Sequence, residues 1–287
     1  MDRYEQFRSA AIDRGLPEDE ATKFADHLRF VVWLGTAGPG EQVVGQEGGL
    51  PRLPVGTDWP ADRDGTPLPF IASIDCALLP RAEGLPLPED GSLLFFLNHD
   101  DDVEAEAHTE EPVHARVLHV PAGTETVVAS PPPDHDTRTF FHENLPFLQP
   151  EHQLTAWVEP ALPKWLTEED HDFDSLVEER LFEELKHVEE LRELVDVLWP
   201  DVDRSSGFRL GGYCALIGGS ATPWTQMTYA GFADLSDAGE YQLVREWVPL
   251  AQFYTASEFY YGCFLICFDD LAARRFENMR SFTMFTE

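Results

Sequence analysis

The chain has 287 residues, of which 53 are acidic and 20 basic, a formal charge of −33. With 43% apolar residues, 20 Phe and 7 Trp, it is too hydrophobic for a disordered chain and has neither a collagenous nor a disulfide-scaffold composition. A chain of this length buries about three quarters of its unfolded surface.

Residues 2–34 pattern as two short helices. Gly15 suits the stop of the first, and Pro17 with Glu18, Asp19 and Glu20 suits the first turn of the second. Ala21, Phe24, Leu28, Val31 and Val32 then share one helical face. Residues 35–69 are rich in Gly and Pro, and the run Gly48 to Pro54 cannot be regular helix. Leu68 to Ile74, Ser92 to Asn98 and Arg116 to Val120 read as strands; the second is almost wholly apolar and so buried on both faces. Pro131-Pro132-Pro133 marks a rigid loop, and residues 134–160 carry no clear pattern. From 174 to 198, apolar residues recur every 3.5 positions, from Val177 to Leu198, which predicts one long helix ended by Pro200. Strand patterns return over Phe208 to Ile217, Thr225 to Tyr229, Leu250 to Tyr254 and Cys263 to Phe268. Leu271 to Phe276 reads as a short helix and Ser281 to Phe285 as a last strand.

The stretch from Ile71 to Asp75, followed by Gly91 to Leu97, echoes Leu250 to Tyr254 followed by Gly262 to Phe268. A Gly-Gly pair precedes each, at 48–49 and 211–212. The predicted fold class is therefore α+β and mostly antiparallel, as one domain. It has a helical N-terminus (1–37), a first β-rich half (38–160), an acidic helical insert (161–203) and a second β-rich half (204–287), the halves forming an internal pseudo-repeat.

The acidity is clustered. Residues 89–111 hold 9 acids and no Lys or Arg, and residues 167–203 hold 15 acids against 3 bases. That sign disfavours nucleic acid and anionic membranes and favours a basic protein partner. The four cysteines (Cys76, Cys214, Cys263, Cys267) have no metal-finger spacing. Cys263 and Cys267 would stand roughly 13 Å apart on a strand, too far for a disulfide. The start Met1 to Glu5 does not read as a signal peptide, and no apolar run reaches the ~20 residues of a membrane helix. A cytoplasmic protein with reduced thiols is expected.

No HExxH, GxSxG, Walker or Rossmann pattern occurs, and no cofactor is expected. Asp201 to Ser205 begins like a calcium loop, but Ser206 and Gly212 stand at its sixth and twelfth positions. His99-Asp100-Asp101-Asp102 could hold a hard cation, though a solvated loop tip is the plainer reading. The same holds for His135 between Asp134 and Asp136.

Gly48 to Pro54, Trp59-Pro60, Pro67 to Asp75, Gly91 to Phe96, Leu210 to Tyr213, Trp247 to Gln252 and Gly262 to Ala272 together resemble the YwqG-like family of bacterial proteins, a domain of unknown function. The resemblance spans roughly residues 45–285. It implies a mostly antiparallel fold with a pseudo-repeat, and no reaction. This chain departs from the family pattern at Ser73, where Gln is usual, and at Cys214, where Pro is usual.

Three functions follow as expectations. In the first, a basic protein partner is held, in an immunity- or inhibitor-like manner, through Asp100, Asp101, Asp102, Glu183, Glu184 and Glu190. The second is an enzyme or small-molecule binder with a pocket between the halves near Trp59, Asp75 and Gln252. The third is self-assembly through the 177–198 stripe. No catalytic residue and no metal ligand is assigned.

Overall fold

A computed structural model describes residues 2–105, 112–133, 135–136, 146–167, 173, 175–202, 204, 206–215, 222–254 and 260–285. Asp134, Asp203, Ser205 and the 216–217 end of the predicted strand lie outside the described residues. Twelve strands form among them: β1 (Arg29–Thr36), β2 (Gly45–Glu47), β3 (Arg52–Pro54), β4 (Phe70–Asp75), β5 (Ser92–Leu97), β6 (Ala115–Val120), β7 (Thr126–Val128), β8 (His152–Ala161), β9 (Phe208–Gly211), β10 (Trp247–Tyr254), β11 (Tyr260–Cys267) and β12 (Arg280–Phe285). Ten make one antiparallel sheet in the order β12-β11-β10-β9-β1-β8-β2-β4-β5-β6, and β3 pairs with β7.

The large sheet curls into a nearly closed barrel. Alternate side chains of its strands, among them Val32, Ile74, Phe95, Leu154, Leu210, Phe253 and Phe264, meet in one core. Phe95 of β5 reaches Phe264 of β11, with ring centroids 5.7 Å apart. Strand twist supplies the curl, and the shared apolar interior makes closure favourable. The edge strands β6 and β12 do not pair. The helix α3 (His99–Glu104) and the 3-10 turn Phe276–Asn278 bridge the gap instead. Asp102 on α3 is buried and accepts from Ser281 Oγ at 2.6 Å and Thr283 Oγ1 at 2.8 Å, both on β12. His119 of β6 packs on Phe276, centroids 5.8 Å apart.

The outer faces are covered in patches. Leu94 and Phe96 of β5 lie under Leu53 of β3, so β5 is indeed apolar on both faces. Cys263 and Leu265 lie under α7 (Pro223–Tyr229) and α8 (Asp237–Glu246). The ends of β1 and β8 pack under α1 (Arg3–Asp13), α2 (Glu18–Ala25), α4 (Lys164–Thr167), α5 (Leu176–Glu183) and α6 (Val188–Leu198). The remaining helix, α9 (Phe268–Ala272), follows β11.

Four expectations need correction. Val31 and Val32 continue the α2 periodicity in sequence but belong to β1, where pairing to β8 and β9 overrides the helical spacing. The unpatterned 134–160 region contains most of β8. Thr225 to Tyr229 is helix α7, not strand, because Thr222 caps it by accepting from Thr225 N and Pro223 stands at its first position.

The fourth is the long acidic helix, which is two helices with a break at 184–187. Buried Glu20 of α2 causes the break. Its carboxylate accepts from Lys186 N at 2.7 Å, His187 N at 3.0 Å and His187 Nδ1 at 3.1 Å. The two backbone donors, Lys186 N and His187 N, are ones that a continuous helix would spend internally. Of the apolar stripe, Leu185, Val188, Leu191 and Val195 are buried in the core formed with Phe7 and Phe24, and Leu181 and Leu198 pack partly buried against it.

Burial pushes the Glu20 carboxyl up, but these donors outweigh it and hold the group below the ordinary carboxylate range. A depressed carboxyl adds stability above its unfolded pKa and loses it as pH falls through the folded value. Hydrogen bonds to a charged group are worth about 1.5–3 kcal/mol. Glu20→Gln should therefore lower stability by about 2 kcal/mol at pH 7, as measured by urea unfolding, with the gap closing at pH 3.

Candidate functional site

A concavity of about 300 Å³ opens where the first half meets the end of β10. Its walls are Phe70 and Ile71 of β4, His99 of α3, the 146–150 segment, and Phe253 and Tyr254 of β10. Its polar groups are Glu47 at the end of β2 and His152 at the start of β8, direct cross-strand partners, joined by Gln149 and His99.

Local chemistry fixes this geometry. Gly48 follows Glu47 with φ +67°, and a Cβ there would collide with the Pro150 carbonyl. Glycine thus lets the 146–150 segment lie against the strand end, where Gly49 N donates to Gln149 O at 2.9 Å. Phe147 is buried and carries Trp59 behind it, centroids 5.9 Å apart.

His99 is 6% exposed. It stacks parallel on Tyr260 and meets Phe253 edge-on, both at 5.9 Å. Its Nδ1 is buried without a hydrogen-bond partner. Burial pushes its pKa down to about 3, so at neutral pH it is an uncharged ring able to accept or donate one bond. Burial also raises the Glu47 carboxyl above its ordinary value, against a smaller lowering by His152. The pocket therefore combines aromatic walls with the Glu47 carboxylate and the His99 ring, which makes it a candidate ligand site.

The three residues expected at a pocket are not brought together. Trp59 donates Nε1–H to Leu68 O at 2.8 Å and stands behind the wall. Asp75 caps a turn by accepting from Ala77 N at 3.0 Å, beside a separate shallow hollow with Gln46, Ser73 and Gln153. Gln252 is fully buried and fully engaged. Its Oε1 accepts from Tyr261 OH at 2.7 Å and Ala215 N at 2.9 Å, and its Nε2 donates to Tyr213 O at 3.1 Å and Gly211 O at 3.4 Å. Gln46 spans the matching carbonyls of the other Gly-Gly segment, donating to Gly48 O at 2.9 Å and Leu50 O at 3.2 Å. The amide in this half thus comes from β2, where Gln46 is the cross-strand partner of Ser73.

The acidic candidates also divide. Asp100, Asp101 and Asp102 occupy the first turn of α3, capped by Asn98, and not a loop tip. Asp102 is turned inward onto β12, while Asp101 is exposed and lies 3.9 Å from His114 Nδ1. Glu183 ends α5 and Glu190 lies in the first turn of α6, both exposed. Glu184 pairs with Lys23 at 2.6 Å. Glu47 and His152 were not selected from sequence, and His99 was noted only within the His99-to-Asp102 run. Glu47 announces itself only by standing before the Gly-Gly pair, and His152 sits in the unpatterned region.

The family known as a domain of unknown function, DUF1963, matches residues 46–283. The chain belongs to this family. The match begins at Gln46 and ends at Thr283, so it takes in both Gly-Gly segments, the pocket and the α3–β12 clasp. Comparison with curated proteins gives no match. No helix among the described residues is long and apolar enough to cross a membrane.

Gln252→Leu would strand the buried Ala215 N–H and Tyr261 hydroxyl, each costing about 1–3 kcal/mol when unpaired. It should lower stability by about 3 kcal/mol in urea unfolding. Gln46→Leu, at the part-exposed counterpart, should cost under about 1.5 kcal/mol.

Proposed function

We propose that this DUF1963 protein binds a small molecule in the pocket between its two halves. The ligand class is an amine or comparable hydrogen-bond donor carried on a planar apolar body. The observation that carries the reading is an aromatic cavity lined by the Glu47 carboxylate and by the ring of His99, whose Nδ1 is buried without a hydrogen-bond partner. Phe70, Phe147 and Phe253 suit the apolar body, Glu47 the positive or donating head, and His99 a second polar contact.

The two halves read as copies of one unit, in keeping with the YwqG-like resemblance, so the pocket lies at a junction between copies. Four matched details support this. Both Gly-Gly pairs have left-handed φ. The paired hairpins β4–β5 and β10–β11 each shift register just before an alanine, Ala72 and Ala251. Their flanking strands run outward from the central β1–β8 pair in matching order. A glutamine amide spans the carbonyls around each second glycine.

A second reading, an acidic face for a basic protein partner, is favoured by Glu179, Glu183, Glu190, Glu193 and Asp196, all exposed on α5 and α6. It predicts salt-dependent capture that Glu183→Lys with Glu190→Lys abolishes.

The pocket reading is tested by thermal shift and calorimetry with a panel of arylalkylamines. A saturable rise in Tm should weaken as pH drops through the raised range of Glu47, because the carboxylate must be ionised to hold the cation. Glu47→Gln should weaken binding at least about tenfold and remove the pH dependence. Absence of binding across the panel, or equal binding by Glu47→Gln, contradicts the reading.

A further inference from the structure

Outside the pocket, three metal-ligating side chains from separate parts of the chain converge on one point. They are Asp62 in the loop closed by the Ala61–Pro67 bridge, Asp101 on α3, and His114 just before β6. One donor atom of each lies within 4.8 Å of the other two. Donors bound to a common zinc-sized ion at about 2.0–2.2 Å stand roughly 3.3–3.6 Å apart in tetrahedral geometry. The three atoms therefore surround a cation after a small inward rotation of Asp101, whose side chain is half exposed.

Local hydrogen bonds hold the residues that carry the donors. Asp62 spends Oδ1 on Asp64 N at 2.9 Å and Thr66 N at 2.7 Å, which fixes the carboxylate and leaves Oδ2 available. Asn98 positions the other two. Its backbone N donates to His114 O at 2.9 Å, and its side-chain amide donates to Asp101 Oδ2. The independent pointer to a cation is His114 Nδ1. It is buried with no hydrogen-bond partner, yet it faces a carboxylate oxygen 3.9 Å away, too far for a bond. An unpartnered ring nitrogen beside two carboxylates is an arrangement that a shared cation satisfies.

We infer that Asp62, Asp101 and His114 form a site for a divalent transition-metal ion of the zinc or manganese class. The imidazole donor favours such an ion over calcium, which takes oxygen ligands. Three protein donors leave a further coordination position for water. Because Asp101 lies on α3, the ion ties the 61–67 loop and the β6 entrance to the helix that carries His99 into the pocket and Asp102 onto β12.

The test uses the full chain stripped with chelator and dialysed against Zn2+ or Mn2+, with bound metal counted per chain. Wild type should retain one Zn2+ and melt higher with it than without. Asp62→Asn keeps the Oδ1 acceptor for Asp64 and Thr66 and should fold normally, but bind at least about tenfold more weakly. His114→Gln should do the same, and Cys214→Ala should still bind one ion, which separates this site from the thiols. No stoichiometric uptake by wild type overturns the inference, as does undiminished uptake in a folded Asp62→Asn chain.

Discussion

Closure of the curled sheet rests on one buried carboxylate. A ten-stranded antiparallel sheet with unpaired edges exposes two rows of backbone donors and acceptors and half of its apolar interior. Here the edges β6 and β12 never pair, and α3 spans the gap. Asp102 enters the seam and receives two hydroxyl donors from β12. Burial pushes its carboxyl up, and Ser281 and Thr283 pull it partly back, so these hydroxyls are what make the buried position tolerable. The helix is short, six residues, and three of its side chains face in different directions. Asp102 holds the barrel, His99 enters the pocket and Asp101 faces His114. One turn of helix thus serves structure and chemistry together.

The same economy appears at the Gly-Gly segments. Each places two left-handed residues at the end of a short strand, and a glutamine amide spans the carbonyls that result. In the second half that amide is buried and saturated under α7 and α8. In the first half the corresponding outer face is partly open, and the adjoining strand end becomes the pocket that holds Glu47.

Legibility in sequence followed burial. β5 and β11 were readable because both of their faces are covered, which leaves an unbroken apolar run. The class, the antiparallel character and the two N-terminal helices were readable for the same reason, from local pattern alone. What escaped depended on distant partners. Val31 and Val32 keep helical spacing with Phe24 and Leu28, and only pairing with β8 and β9 makes them strand. The break between α5 and α6 is dictated by Glu20, more than 160 residues away. α7 had its signals in Thr222 and Pro223, but the β-favouring Thr-Gln-Met-Thr-Tyr run outweighed them. The site escaped because its groups are single residues. A lone Glu before two glycines, a His after a strand and a His in an unpatterned stretch acquire meaning only when the sheet curls.

Hydrogen exchange followed by mass spectrometry, comparing wild type with Asp102→Ala, tests the clasp most directly. If α3 closes the ring through Asp102, protection should fall together in α3, β12 and β6, while the central β1–β8 pair stays protected. Loss confined to α3, with β12 and β6 unchanged, would contradict the account.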